Sequence, residues 1–206
     1  MANEEKKDFN AMLHNNKDMP KFQVITDQKS IEKYGGNNMY FAPPIDYDKV
    51  MKKIPYGKVI TIGKIREFFA NENDADFTEP ITAGIFVSIA AWASYQRTED
   101  KTPYWRTLKA NGELNSKYPG GIEVQKEKLE AEGHTIIKKG RKNIKYYVKD
   151  YEDVLFDLYT TIDASVTCIF SVTILCVPGI GHTASGIFSN TGITKLNGIS
   201  KSLSIS

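Results

Sequence analysis

Apolar residues along this chain fall mainly at helical spacing, with a single change of period near the middle of the C-terminal half. Val50 and Ile54 mark the inner side of a short helix that Asp46 is placed to cap, and Pro55-Tyr56-Gly57-Lys58 ends it. Ile62, Ile65, Phe68 and Phe69 then recur at helical spacing behind Thr61, a good cap residue. Thr78-Glu79-Pro80 opens a third helix running to about Tyr95. From Pro80 to Gln96 it holds no charged residue, a pattern that predicts burial on every side. Gly120-Gly121 precedes a fourth helix, Ile122 to Glu132, with Gly133 at the position that closes a helix in the left-handed conformation. From Thr135 to Lys149 the period becomes two, which predicts a β-hairpin turning near Gly140 to Asn143. Ile144, Tyr146 and Val148 share one face of its second strand, and Lys145, Tyr147 and Lys149 the other. Asp150 to Leu158 reads as a last short helix.

Outside these elements the pattern thins. Residues 1–20 read as a mobile polar arm, Phe22 to Thr26 as a short strand, and Met39 to Pro44 as an extended lead-in set by its prolines. Ala164 to Thr194 lacks Asp, Glu, Lys and Arg, and runs into a polar low-complexity end. Its apolar part, Ser165 to Val177, is too short for a membrane span and is followed at once by Pro178 and Gly179. The expected organisation is therefore an extension over 1–44, a domain over 45–158 and a poorly ordered tail over 159–206. The fold class expected is mixed α/β, mostly α: a winged-helix-like helix-turn-helix with the hairpin as its wing.

Composition adds limits rather than an identity. The 206 residues are 41% apolar and 25% charged, with net charge +2, values that fit a soluble globular chain. A near-neutral total neither requires nor excludes a nucleic-acid partner, because a local basic face can hide in it. Two cysteines, Cys168 and Cys176, make neither a disulfide framework nor a zinc spacing, and no cofactor or metal is expected. Met1 to Asp18 has no apolar leader, so the cytoplasm is the default expectation, with the chain a monomer.

The chemistry-bearing stretch is Pro103-Tyr104-Trp105-Arg106, followed by Asn111-Gly112-Glu113-Leu114, Tyr118-Pro119-Gly120-Gly121 and the helix from Lys126 to Gly133. Taken with Ile54 to Ile65, this ordered set resembles the alkylguanine-DNA alkyltransferase family over roughly Ile45 to Leu158. In that family the four residues read Pro-Cys-His-Arg, and the cysteine accepts the alkyl group from a damaged base. The resemblance puts the nucleophile position at Tyr104, the base position at Trp105 and the relay glutamate at Glu132. A phenol, with an ordinary pKa of about 10, is a poor nucleophile at neutral pH. An indole donates a hydrogen bond and cannot act as a base. Glu132 is kept but has nothing to relay to.

The DNA-handling positions of the family depart as well. Its phosphate-rotating tyrosine falls on Ile62, and its intercalating arginine on Ile85, in a helix whose uncharged surface points first to burial, with an apolar wedge into the minor groove as the alternative. Arg106 and the aromatic Tyr118 are retained. Tyr104, Trp105 and Tyr118 either fill the vacated pocket as core or form an aromatic site able to stack a base. The hairpin residues Lys138, Lys139, Arg141 and Lys142, with Lys145 and Lys149, are either phosphate contacts or lysines that guard a strand edge. Thr61 and Lys64 on the helix-turn-helix join the candidate contacts, and Lys58 and Arg66 extend them. The resemblance implies a double-stranded DNA partner, in the form of a protein that recognises DNA, including altered bases, without repairing it. Two alternatives stay open: an enzyme with Tyr104 as alkyl acceptor, and a protein- or small-molecule-interaction module built on a relic repair fold.

Overall fold

The computed structural model describes residues 6–159. The uncharged stretch, both cysteines and the tail expected from 159 onward lie outside them, Tyr159 excepted.

The architecture is mixed α/β and mostly α, with a helix-turn-helix followed by a β-hairpin in winged-helix order. Helix α1 spans Phe9–His14, strand β1 Lys21–Val24, α2 Gln28–Tyr34, β2 Asn38–Phe41 and α3 Pro44–Lys52. Strand β3 is Ile60–Thr61, α4 Ile62–Glu72, β4 Phe77–Thr78 and α5 Pro80–Gln96. Two 3-10 turns, Tyr104–Arg106 and Ala110–Gly112, flank β5 at Thr107–Leu108. Helix α6 covers Gly121–Ala131, and β6 (Ile136–Lys139) and β7 (Lys145–Val148) form the hairpin.

The sheets are small. β2 lies between β1, its antiparallel partner, and β4, its parallel one. β3 and β5 pair in parallel, bringing Thr61 opposite Leu108, and the hairpin pairs Ile136 with Val148 and Lys139 with Lys145. The predicted turn is observed, and Tyr146 packs beside the buried Val148 as expected; Ile144, expected on the same face, lies before β7 and is exposed.

Helix α5 is the spine. Glu79 caps it, its carboxylate accepting from the Ile81 amide at 3.0 Å and from the Thr82 amide, while Pro80 supplies a first residue with no amide to satisfy. Ala83, Phe86, Val87, Ile89, Ala90, Trp92 and Ala93 are buried along it. Burial is not all-round, however. Ile81 and Ile85 keep 72% and 47% of their surface, and Tyr95 in the last turn keeps 56%.

Three further expectations change. The arm expected over 1–20 contains α1, whose Phe9 and Leu13 are buried in the main core; the Phe9 ring stacks on Trp92 at 5.5 Å. Its entry is fixed by Gln96, which accepts from the Phe9 amide and donates to the Lys7 carbonyl. Asp46 does not cap α3. The helix starts at Pro44 behind Pro43, and Asp46 instead pairs with Lys49 at 2.8 Å. The helix expected over 150–158 is only a 3-10 turn, Tyr151–Val154. Beyond it the chain extends, with the Phe156 amide bonded to the Val59 carbonyl.

Two apolar clusters result. The larger is built on α1, α3, α4 and α5 and takes in Tyr104 and Tyr118. The smaller, Val59, Leu108, Leu114, Leu129 and Val148, lies under the hairpin. Trp105 packs against both and forms the seam between them.

Candidate nucleic-acid interface

The loop from Thr102 to Thr107 is held by buried polar groups at each end. Before it, Asp48 on α3 is 1% exposed and accepts from both terminal nitrogens of Arg97, at 3.1 and 2.9 Å, and from the Thr102 hydroxyl. Thr102 also exchanges hydrogen bonds with the Ser94 hydroxyl on α5. Burial alone would raise the Asp48 pKa, but the bonds from Arg97 and Thr102 and the nearby Lys52 outweigh it and hold the carboxyl below its ordinary range. At the far end Gln125 on α6, fully buried, donates to the Trp105 and Thr107 carbonyls and accepts from the Asn115 amide at 2.7 Å. It thereby clamps the Tyr104 loop to the loop that carries Tyr118. The Trp92 indole donates to the Lys117 carbonyl at 2.9 Å and fixes that second loop to α5. None of Asp48, Arg97 or Gln125 was singled out in the sequence. A buried carboxylate or amide is recognisable only once its distant partners, up to 54 residues away, are known.

Within this frame Tyr104, Trp105, Arg106, Tyr118 and Glu132 come together, as the resemblance implies. Tyr104 is 4% exposed and Tyr118 1%. Their rings meet edge to face at 5.5 Å, and Tyr104 meets Trp105 in the same way. Of the two readings of this aromatic group, filled core is the one observed for Tyr104 and Tyr118. Burial, with a smaller contribution from Tyr95, pushes the Tyr104 phenol above its ordinary range; burial does the same to Tyr118. The loop between Tyr118 and α6 turns at Gly120, whose φ is +74° and where a Cβ would sit 2.2 Å from a Val124 methyl; only glycine fits.

Glu132, with nothing to relay to, is instead held by structural partners. Its carboxylate accepts from the Trp105 indole at 2.6 Å, from Arg106 Nε at 3.0 and 2.9 Å, and from the Gly57 amide at 3.2 Å. Burial raises its pKa, and these donors, Arg106 foremost, more than reverse that and hold it below the ordinary carboxylate range. Arg106 also donates to the Ile54 carbonyl at 2.7 Å. The guanidinium is therefore bound internally on several sides, with the Tyr56 and Trp105 rings 5.8 and 5.6 Å from it. Lys128 lies over the Trp105 ring at 4.4 Å. Trp105 is half-buried and has two cations beside its ring.

The hairpin cations form a second group. Lys138, Lys139, Arg141 and Lys142 are exposed, and among the described residues none has a carboxylate within 4.0 Å. Lys138 and Lys139 lie over Tyr146 and Tyr147 at 5.7 and 5.1 Å. Lys145 and Lys149 are different: Lys145 pairs with Glu113 at 2.9 Å and Lys149 with Asp150 at 3.8 Å. On the helix-turn-helix, Thr61 is buried and its hydroxyl accepts from the Lys64 amide at 3.3 Å, so it caps α4 as expected and faces inward. Lys64 pairs with Glu67 at 2.8 Å, and Arg66 donates to the Thr78 carbonyl. Of these, only Lys64 is neutralised by a carboxylate; Arg66 keeps its charge but is tied to a backbone carbonyl. Ile85, at the position of the family's intercalating arginine, is exposed beside Ile81.

Among the described residues no helix is long and apolar enough to cross a membrane, and no group of three or more His, Cys, Asp or Glu is placed to hold a metal ion.

No protein-family model matches the chain, and no curated protein matches it. Two solved structures are similar over part of it. One is S. pombe Atl1 in complex with damaged DNA containing O6-carboxymethylguanine, 20% identical, covering 55% of this chain and 94% of that one, with a TM-score of 0.40. The other is S. pombe ATL in complex with DNA, 22% identical with the same coverage and a TM-score of 0.39.

Proposed function

We propose that this protein is a non-catalytic DNA-binding protein that engages duplex phosphates through its basic hairpin. The observation that carries the reading is the set of four unpaired cations, Lys138, Lys139, Arg141 and Lys142, on the hairpin of a winged-helix order. Cations that have no carboxylate of their own give up no ion pair on binding phosphate, and their binding releases the counterions of the nucleic acid. The resemblance to the alkyltransferase family supports DNA as the partner, and altered DNA as the finer form of it.

Catalysis by the family's chemistry has no support in the geometry. The residue at the nucleophile position is a buried phenol with a raised pKa, the residue at the base position is an indole, and Glu132 is fully engaged by Trp105, Arg106 and Gly57. Recognition of an altered base through the Tyr104–Tyr118 site requires those rings to part, so the first contact is assigned to the hairpin. An interaction module is the second reading, favoured by the exposed Ile81 and Ile85 on α5.

Titration of a labelled duplex at rising salt decides between them. Affinity that falls with salt, and falls at least about tenfold when Lys138, Lys139, Arg141 and Lys142 are changed to Gln, supports the proposal. Binding that is absent at low salt, or unmoved by the four changes, overturns it.

A further inference from the structure

A groove separate from the Tyr104 site runs between the hairpin and the turn at 109–113. Its volume is about 500 Å³. Three elements build it. The turn contributes Lys109 and Glu113, the first turn of α6 contributes Ile122, and the hairpin contributes Lys142, Ile144 and Tyr146. The Leu114 amide donates to the Tyr146 carbonyl at 2.9 Å and pins the turn to β7, so the groove has a fixed width at its base.

Its lining is of two kinds. Ile122, Tyr146, the buried Leu114 and Ile144, 53% exposed, are apolar. Lysines make up much of the remainder. Lys109 and Lys145 each pair with one oxygen of Glu113, and Lys142 is unpaired, which leaves an excess of two positive charges along the groove. Glu113 is mostly covered, and burial raises its pKa; the two lysines outweigh this and hold it below the ordinary carboxylate range, so it balances one of their two charges.

We propose that this groove holds one or two nucleotides of single-stranded nucleic acid, bases against Ile144 and Tyr146 and phosphates along Lys109 and Lys142. A duplex is too wide to enter a groove of this volume, whereas an unstacked strand presents both an apolar face and an anionic edge. An acidic peptide would match the lysines but leave the apolar lining unused. The proposal rests on the nucleic-acid reading above and extends it to a second form of substrate.

The test uses fluorescence anisotropy with two probes, a labelled oligothymidylate of about eight nucleotides and a blunt duplex. The intact protein binds the oligothymidylate, and the double variant Lys109→Gln, Ile144→Ser weakens that binding at least about fivefold while duplex binding stays within about twofold. Lys109→Gln alone lowers the salt dependence of oligothymidylate binding by about 0.7 in the log–log slope, a readout that a folding defect would not give. Unchanged oligothymidylate affinity in the double variant, failure of the intact protein to bind it while duplex is bound, or equal displacement by polyglutamate overturns the groove assignment alone. Loss of duplex binding in the intact protein overturns the hairpin reading instead.

Discussion

Glu132 grips Arg106 with both carboxylate oxygens, at 3.0 and 2.9 Å from Nε, in a pair whose side chains are 5% and 13% exposed. The pair joins the end of α6 to the Tyr104 loop, and the Trp105 indole closes it from the third side. An ion pair this enclosed holds geometry more than it adds net stability, but breaking it leaves one charge stranded.

Glu132→Gln is therefore expected to destabilise the protein by about 2–4 kcal/mol in urea unfolding. The sign with pH follows from the lowered carboxyl pKa. Its contribution is fully present above the ordinary glutamate range and is lost as pH falls through the depressed folded value. The unmodified protein should lose stability over that acid window, and the variant should lose correspondingly less. Equal acid sensitivity of the two would show that Glu132 is not a principal group.

Restoring the family's nucleophile should not restore its chemistry. Tyr104→Cys removes a ring packed against Tyr118 and Trp105, and a cost of about 2–4 kcal/mol is expected from the cavity. No alkyl group is expected on the new cysteine after incubation with alkylated DNA, because Trp105 supplies no base and Glu132 is occupied. Intact-protein mass spectrometry checks both this variant and the unchanged chain. A mass gain on Tyr104 in the latter would revive the acceptor reading.

The hairpin cations should be unequal. Lys142→Gln is expected to weaken duplex binding severalfold and to reduce the salt slope by about 0.9. Lys145→Gln should do less, since Lys145 shares the Glu113 carboxylate with Lys109 and is only partly free. Lys64→Gln, removing a lysine paired with Glu67, should stay within about twofold. Anisotropy titrations of the three single variants at several salt concentrations rank them directly.

Gly120→Ala should destabilise by about 1–3 kcal/mol, since φ is +74° and the new methyl meets the Val124 side chain. Gly57→Ala, with a similar φ but open space around it, should cost less. Thermal unfolding of both variants separates the steric cost from the backbone cost.

The sequence by itself determined the elements whose signals are local. Thr61 as the cap of α4, Glu79-Pro80 as the opening of α5, Gly133 behind α6 and the alternation through the hairpin each involve residues a few positions apart. Local propensity and periodicity are sufficient for these. The sequence also determined that Tyr104 and Trp105 lack the chemistry of a thiolate and a base, since that belongs to the side chains wherever they sit.

Tertiary structure decided which groups are free. Lys142 and Lys145 read alike in a basic run, yet one faces solvent and the other pairs with Glu113, 32 residues away. Phe9 and Leu13 lie in a polar stretch and become core because α5 offers Trp92. Tyr104 became packing rather than a base-stacking surface because Tyr118 arrives beside it on a loop clamped by Gln125. Burial and pairing depend on long-range neighbours, and those are set by how the helices close around α5 rather than by any short window of the chain.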